Sequence, residues 1–182
     1  MIRFGFIGTG RISDWVFKGA SEDPRIKVTA ICSRTEEAAK AFIARHPEIT
    51  GARIYTSVED MANDPDIDAI YIGTPNQTHH NYAITALNAG KHVLCEKPFA
   101  SNAREARAMI ETARRYGVTL MEAMISTLNP NFLQAKAYLE QIGTVRRYFA
   151  SYCQYSSRYD KFKEGVVLNA FKFSIMDINK AL

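Results

Sequence analysis

The chain has 182 residues, 47% of them hydrophobic, and a formal net charge of +4 at neutral pH. That length suits one domain plus part of a second, and the apolar fraction can bury a core, which excludes a disordered chain. The basic residues are spread rather than blocked, which argues against nucleic acid as a partner and suits a protein that binds phosphates.

The chain opens on an apolar run, Ile2–Ile7, that reads as a strand. It lacks the charged head, long apolar run and small-residue cleavage site of a signal peptide. No stretch approaches the ~20 apolar residues of a membrane span. A cytoplasmic, reducing location is therefore expected, with no membrane partner. Cys32, Cys95 and Cys153 form no CxxC pair, and the first two lie in strand-like runs where a buried thiol is expected.

Helices and strands then alternate. Further strands are predicted over 27–32, Arg53–Tyr55, Ala69–Ile72, 92–95 and 119–123. Helices are predicted over 12–20, Glu36–Arg45, 57–63, 81–89 and 102–116. Asn102 and Glu105 stand in capping-box spacing, while Gly90 and Gly117 follow two helices at the usual stop position. Such alternation implies a parallel sheet with right-handed crossovers, an α/β doubly wound fold over residues 1–123. The character changes after it. Asn129-Pro130 opens a helix over 130–141, and an aromatic-rich strand is expected over 144–155. A polar turn over 156–164 and a short apolar run over 166–171 complete the pattern. Residues 124–182 thus read as an incomplete α+β domain, and the lone strand over 144–155 is expected to seek a second copy of the chain.

Gly8-Thr9-Gly10-Arg11-Ile12-Ser13 follows the first strand and opens the first helix. It fits the G-x-G-x-x-G/A pattern with Ser13 third. The first glycine permits a tight turn, and the second lets a pyrophosphate reach the backbone and the helix N-terminus. A bare glycine turn is the alternative, but its place after the first strand favours a dinucleotide-binding Rossmann domain. The second strand ends Ser33-Arg34-Thr35, where an NAD site usually carries a carboxylate. Ser33 can hydrogen-bond a phosphate, and Arg34 can pair with it or stack on adenine. This favours NADP, with NAD the alternative; Thr35 caps the next helix on either reading. The fourth strand ends in Thr74-Pro75-Asn76, which would line the same crevice beside ribose and nicotinamide. His79 reads equally as a site residue or a local capping group. Adjacent His79 and His80 do not face one site, which argues against a metal.

Glu96-Lys97-Pro98 ends the fifth strand, at the carboxyl edge where open α/β sheets bind ligands. Pro98 bars Lys97 from the helical region, and a Lys-Pro bond is one of the few that can be cis at modest cost.

Together Gly8-Thr9-Gly10, Thr74-Pro75-Asn76 with His79, and Gly90-Lys91-His92-Val93-Leu94-Cys95-Glu96-Lys97-Pro98 resemble the Gfo/Idh/MocA oxidoreductase family. Met121-Glu122-Ala123-Met124 and Ser33-Arg34 look most like its dihydrodiol-dehydrogenase and anhydrosugar-reductase branch. The resemblance implies an NADP-dependent oxidoreductase acting on a sugar-like or cyclic polyol. It implies that Lys97 polarises the substrate carbonyl and Glu96 fixes the lysine and nearby cofactor groups. It also implies a second domain that carries a further Asp and a His or Tyr, and that often forms dimers. Family members run to about twice this length, so the chain reads as truncated, with half of a substrate site. Met176-Asp177-Ile178 is only faintly similar to the family's Asp-Ile-Gly segment, and the aspartate role is not carried to Asp177. The alternative from another class is a non-catalytic dinucleotide-binding module. A methyltransferase or nucleotide-sensing regulator is disfavoured by Thr74-Pro75-Asn76 and Glu96-Lys97-Pro98.

Overall fold

The structure, a computed structural model, describes residues 1–139, 141–144, 146, 147 and 149. The chain divides into two compact units, Met1–Met124 and Ile125–Leu182. In the first, strands β1 (Ile2–Ile7), β2 (Ile26–Cys32), β3 (Arg53–Tyr55), β4 (Ala69–Ile72), β5 (His92–Glu96) and β6 (Leu120–Ala123) make one sheet. Its order is β3-β2-β1-β4-β5-β6 and every pairing is parallel. This is the Rossmann arrangement that strand-helix alternation predicts.

The helices are α1 (Arg11–Ser21), α2 (Glu36–Arg45), α3 (Val58–Ala62), α4 (His79–Asn88) and α5 (Ala103–Tyr116). The chain leaves β1 in one direction across the sheet and leaves β4 in the other. Crossovers of one hand therefore place their helices on opposite faces. Phe17 of α1 and Ala39 and Phe42 of α2 pack with Phe6, Ile31 and Tyr71 on one face. Residues of α3, α4 and α5 pack with Ile7, Cys32, Ile70, Ile72 and Cys95 on the other. Neighbouring strand residues such as Phe6 and Ile7 thus serve different cores, as the two-residue period of a strand requires. Cys32 and Cys95 are buried free thiols, and burial pushes them up to about 11 and about 12 respectively. Cys153 lies outside the described residues.

Element ends follow local chemistry. The Thr35 hydroxyl accepts from the Ala38 N–H at 3.3 Å and caps α2. Asn102 Oδ1 accepts from the Glu105 N–H at 3.0 Å and caps α5. Glu105 departs from the predicted capping box, because its Oε2 takes the N–H of Ser101 (3.0 Å), one residue earlier. Helix α4 starts at His79 rather than at Asn81, because a 3₁₀ turn over Asn76–Thr78 feeds directly into it.

At the amino end of the sheet, charges tie the strands together. The Lys91 ammonium is buried and donates to the carbonyls of Asp64 (2.6 Å) and Ile67 (2.7 Å). Arg3 holds Asp68 through its backbone N–H (2.8 Å), Nε (3.0 Å) and Nη2 (2.6 Å). These side-chain and then backbone bonds from Arg3 lower the Asp68 carboxyl from the usual 3.8 to about 2. A carboxyl lowered on folding stabilises above its unfolded value and loses that contribution as pH falls through its folded value. Asp68→Asn is therefore expected to flatten the fall in melting temperature between about pH 4 and about pH 2. A variant with an unchanged acid limb would contradict this pairing.

In the unit Ile125–Leu182, a 3₁₀ turn spans Ile125–Leu128 and helix α6 spans Pro130–Leu139. Asn129 Oδ1 accepts from the N–H groups of Asn131 (2.9 Å) and Phe132 (3.4 Å), so Asn129 caps α6 with Pro130 at its first position. Of the strand expected over 144–155, only residues 144, 146, 147 and 149 are described, and none of these is in a strand. The rest of it, and everything expected beyond it, lies outside the described residues. No helix among the described residues is long and apolar enough to cross a membrane.

Candidate active site

The strand order reverses between β1 and β4, so the loops after these strands part and leave a crevice at their carboxyl ends. The glycine loop Gly8–Gly10 forms one wall. Gly8 donates its N–H to Cys32 O (2.9 Å) and has φ +100°, a region that favours glycine. A Cβ there would also collide with the backbone carbonyl of Gly73. Gly10 differs: it has φ −83° and ψ 174°, and a Cβ there would meet no protein atom within 4 Å. The space beside Gly10 is open at the N-terminus of α1. Free N–H groups and the helix dipole favour an anion there. Arg11 and Ile12 form the first helical residues, and Ser13 is fully buried.

At the end of β2, the Ser33 hydroxyl lies 3.3 Å from the Thr9 hydroxyl. Arg34, next to it, is exposed. No carboxylate stands at this strand end, so a phosphate would meet hydroxyls and a guanidinium. Beyond β4, Thr74 is partly buried while Pro75 and Asn76 are exposed. Thr74 Oγ1 lies 2.7 Å from the Thr78 hydroxyl, and the Thr78 hydroxyl donates to Pro75 O (2.7 Å).

Glu96 and Lys97 end β5 on the same edge. Glu96 is buried and Lys97 is exposed. Glu96 Oε1 accepts from the Tyr71 hydroxyl at 3.2 Å, and Oε2 accepts from the Lys97 N–H at 3.2 Å. Burial first, and then the Glu96 charge, push the Tyr71 hydroxyl well above the usual phenol range, so it remains a donor. The Ser13 hydroxyl lies close enough to Tyr71 to favour its ionised form weakly, but short of hydrogen-bonding geometry. The Lys97-Pro98 bond is cis. Among the described residues the Lys97 ammonium makes no hydrogen bond or ion pair, so it is free to meet a ligand.

His79 is buried, with Nδ1 2.8 Å from Pro98 O and Nε2 2.9 Å from Thr74 O. The two ring nitrogens thus face backbone carbonyls of the segments that follow β4 and β5. The candidate residues Gly8, Thr9, Gly10, Ser33, Thr74 and Lys97 follow neighbouring strands at one edge of the sheet, where Glu96 ends β5. Tyr71 was missed by sequence reasoning, since its link to Glu96 exists only once β4 and β5 pair.

A family described as "oxidoreductase family, NAD-binding Rossmann fold" matches residues 2–124. The chain is 49% identical over 183 aligned residues to scyllo-inositol 2-dehydrogenase (NADP(+)) of Bacillus subtilis, covering 98% of this chain and 55% of that protein. It is 38% identical over 148 residues to trans-1,2-dihydrobenzene-1,2-diol dehydrogenase of Xenopus tropicalis, covering 79% of this chain and 44% of that one. Among solved structures it resembles a 3-ketoreductase from Actinomadura kijaniata in complex with NADP, with a TM-score of 0.69 and 32% identity. That likeness covers 77% of this chain and 44% of the other. The chain thus spans about half the length of the curated relatives it matches. With its 3-2-1-4-5-6 sheet, glycine loop and Glu96-Lys97-Pro98 edge, the chain belongs to the Gfo/Idh/MocA oxidoreductase family.

Proposed function

We propose that the chain binds NADP in the crevice between β1 and β4 and serves an oxidoreductase acting on a cyclic polyol or its ketone. The observation that carries this reading is the end of β2, where Ser33 and Arg34 replace a carboxylate and the Thr9 and Ser33 hydroxyls lie 3.3 Å apart. A carboxylate there would repel a 2′-phosphate, whereas these groups can accept it. The fit of the rest of the cofactor rests on Gly10, whose missing Cβ leaves open space at a helix N-terminus. The substrate class follows the named activity of the Bacillus subtilis relative.

The nicotinamide, when bound, supplies or accepts the hydride. Gly8, Thr9, Gly10, Arg11 and Ile12 hold the pyrophosphate, and Ser33 and Arg34 hold the 2′-phosphate. Thr74, Pro75 and Asn76 border the ribose. Lys97 directs its ammonium to the substrate oxygen and stabilises the charge that develops there. Glu96 fixes the Lys97 backbone and is itself held by Tyr71. His79 ties the Thr74 loop to the Pro98 turn, which sets the spacing between the cofactor wall and the lysine. Residues 1–123 would bind the cofactor, and residues 124–182 would contribute to the substrate side and to self-association.

The chain is expected to oxidise NADPH in the presence of a cyclic keto-inositol, read as loss of nicotinamide absorbance. Binding of NADPH with no oxidation would favour the second reading, a non-catalytic dinucleotide-binding module. That reading needs only the cofactor crevice, whose residues lie within the 2–124 match.

A further inference from the structure

Thr9, at the tip of the glycine loop, is held from two sides. Its hydroxyl meets Ser33, and its carbonyl accepts from Arg45 Nη2 at 3.2 Å. Arg45 ends α2, 36 residues away in sequence, and has no part in the family motifs quoted above. Its guanidinium is itself fixed. Nε and Nη2 donate to Asp14 Oδ1 at 3.3 and 3.0 Å, and Nη1 donates to Ala41 O at 3.2 Å. The guanidinium carbon lies 5.4 Å from the centre of the Phe42 ring. Asp14, in the first turn of α1, is shared with His46, whose Nε2 lies 2.8 Å from the same oxygen. The His46 ring is wedged between Phe17 and Phe42, with centroids 4.6 Å away on each side. Burial opposes ionisation of Asp14, but the bonds from His46 and Arg45 outweigh it and hold the carboxyl below its usual range.

A surface pair of this kind contributes little to stability on its own. Its geometry offers something else. The helix that follows Ser33-Arg34 reaches back and grips the loop that would cradle the pyrophosphate. The two halves of a dinucleotide site are thereby registered against each other. We propose that Arg45 is a positioning residue for recognition of the cofactor's 2′-phosphate, acting through the Thr9 carbonyl and the Thr9–Ser33 hydroxyl pair. Without Arg45 the Thr9 carbonyl turns to water, the loop tip loses its anchor, and Ser33 loses a fixed neighbour. The pyrophosphate contacts, common to NADH and NADPH, are affected less than the contact that distinguishes them.

This inference rests on the NADP reading above, and one titration separates the two. Wild type, Arg45→Met and Arg45→Lys are titrated with NADPH and with NADH, following the fluorescence of Trp15, the chain's single tryptophan. Methionine keeps the aliphatic stem over Phe42, and lysine keeps a donor. Arg45→Met is expected to cut the ratio of NADPH to NADH affinity by roughly fivefold, about one hydrogen bond's worth. Arg45→Lys is expected to recover part of it, and Asp14→Asn to act in the same direction as Arg45→Met. A wild-type preference for NADPH that Arg45→Met leaves unchanged overturns the positioning role. So does an equal loss for both cofactors with a lowered melting temperature, since that is a structural effect alone. Wild type without preference for NADPH overturns the NADP reading, and this inference with it.

Discussion

Gly10→Ala is expected to weaken NADPH binding by at least about tenfold while lowering the melting temperature by no more than about 4 °C. The two glycines of the loop make this separation possible. At Gly8 a methyl group would strike the Gly73 backbone in a φ region that side chains rarely adopt. Gly8→Ala would therefore damage the fold itself, at a cost on the order of 2–3 kcal/mol. At Gly10 the backbone is ordinary and the added carbon meets no protein atom. The cost to the free protein is limited to a poorer helix N-cap, about 1 kcal/mol or less. What the methyl group does occupy is the approach to the first free N–H groups of α1. A phosphate excluded from that position loses charge-assisted bonds, and tenfold corresponds to about 1.4 kcal/mol of them. Calorimetric melting and a cofactor titration on the same preparation check both halves. Unchanged affinity in Gly10→Ala would mean that the open space at the helix N-terminus is not a cofactor cradle.

Lys97→Ala is expected to lower the rate of hydride transfer to a cyclic ketone by about 10²–10³-fold and to leave stability nearly unchanged. The ammonium is exposed and has no partner among the described residues, so its removal breaks no bond among them. Its backbone remains held by Glu96, which Tyr71 holds in turn. The loss therefore reports the transition state alone, where charge builds on the substrate oxygen. Cofactor affinity should stay within about threefold of wild type, less than half a tenfold step on the logarithmic scale of binding free energy. Single-turnover oxidation of bound NADPH measures the rate without interference from product release. A Lys97→Ala protein that transfers hydride at the wild-type rate would remove Lys97 from the chemistry.

Much of this architecture is legible before any coordinates, and for physical reasons. The short apolar run Ala69-Ile70-Tyr71-Ile72 suits a central parallel strand covered on both faces, and all four residues are buried in one. Asn102, Thr35 and Asn129 announce helix starts because a side-chain oxygen satisfies a free N–H wherever a helix begins. The same locality explains the small errors. Glu105 could be assigned to a cap, but which N–H it would reach depends on the turn before the helix. Helix α4 starts two residues before the predicted position 81 because Asn76–Thr78 forms a turn whose continuation into a helix carries no sequence mark.

Contacts across the sheet were not legible. The Tyr71–Glu96 bond joins residues 25 apart, and the Arg45–Thr9 bond joins residues 36 apart. Neither leaves a periodic trace. His79 shows the limit most clearly. Its residue type and place beside Thr74-Pro75-Asn76 fit a site residue and a local capping group equally. In the folded chain both its ring nitrogens face backbone carbonyls. Type and spacing bring a side chain to a site, and only the fold says which of its atoms are already taken.

The central claim is that the end of β2 reads a 2′-phosphate. Titration of the chain with NADPH and NADH, at one ionic strength and with its intact mass confirmed, tests this most directly. NADPH is expected to bind at least about tenfold more tightly than NADH, about 1.4 kcal/mol for the phosphate contacts of Ser33 and Arg34. Equal affinity for the two, tighter binding of NADH, or no binding of either would contradict it.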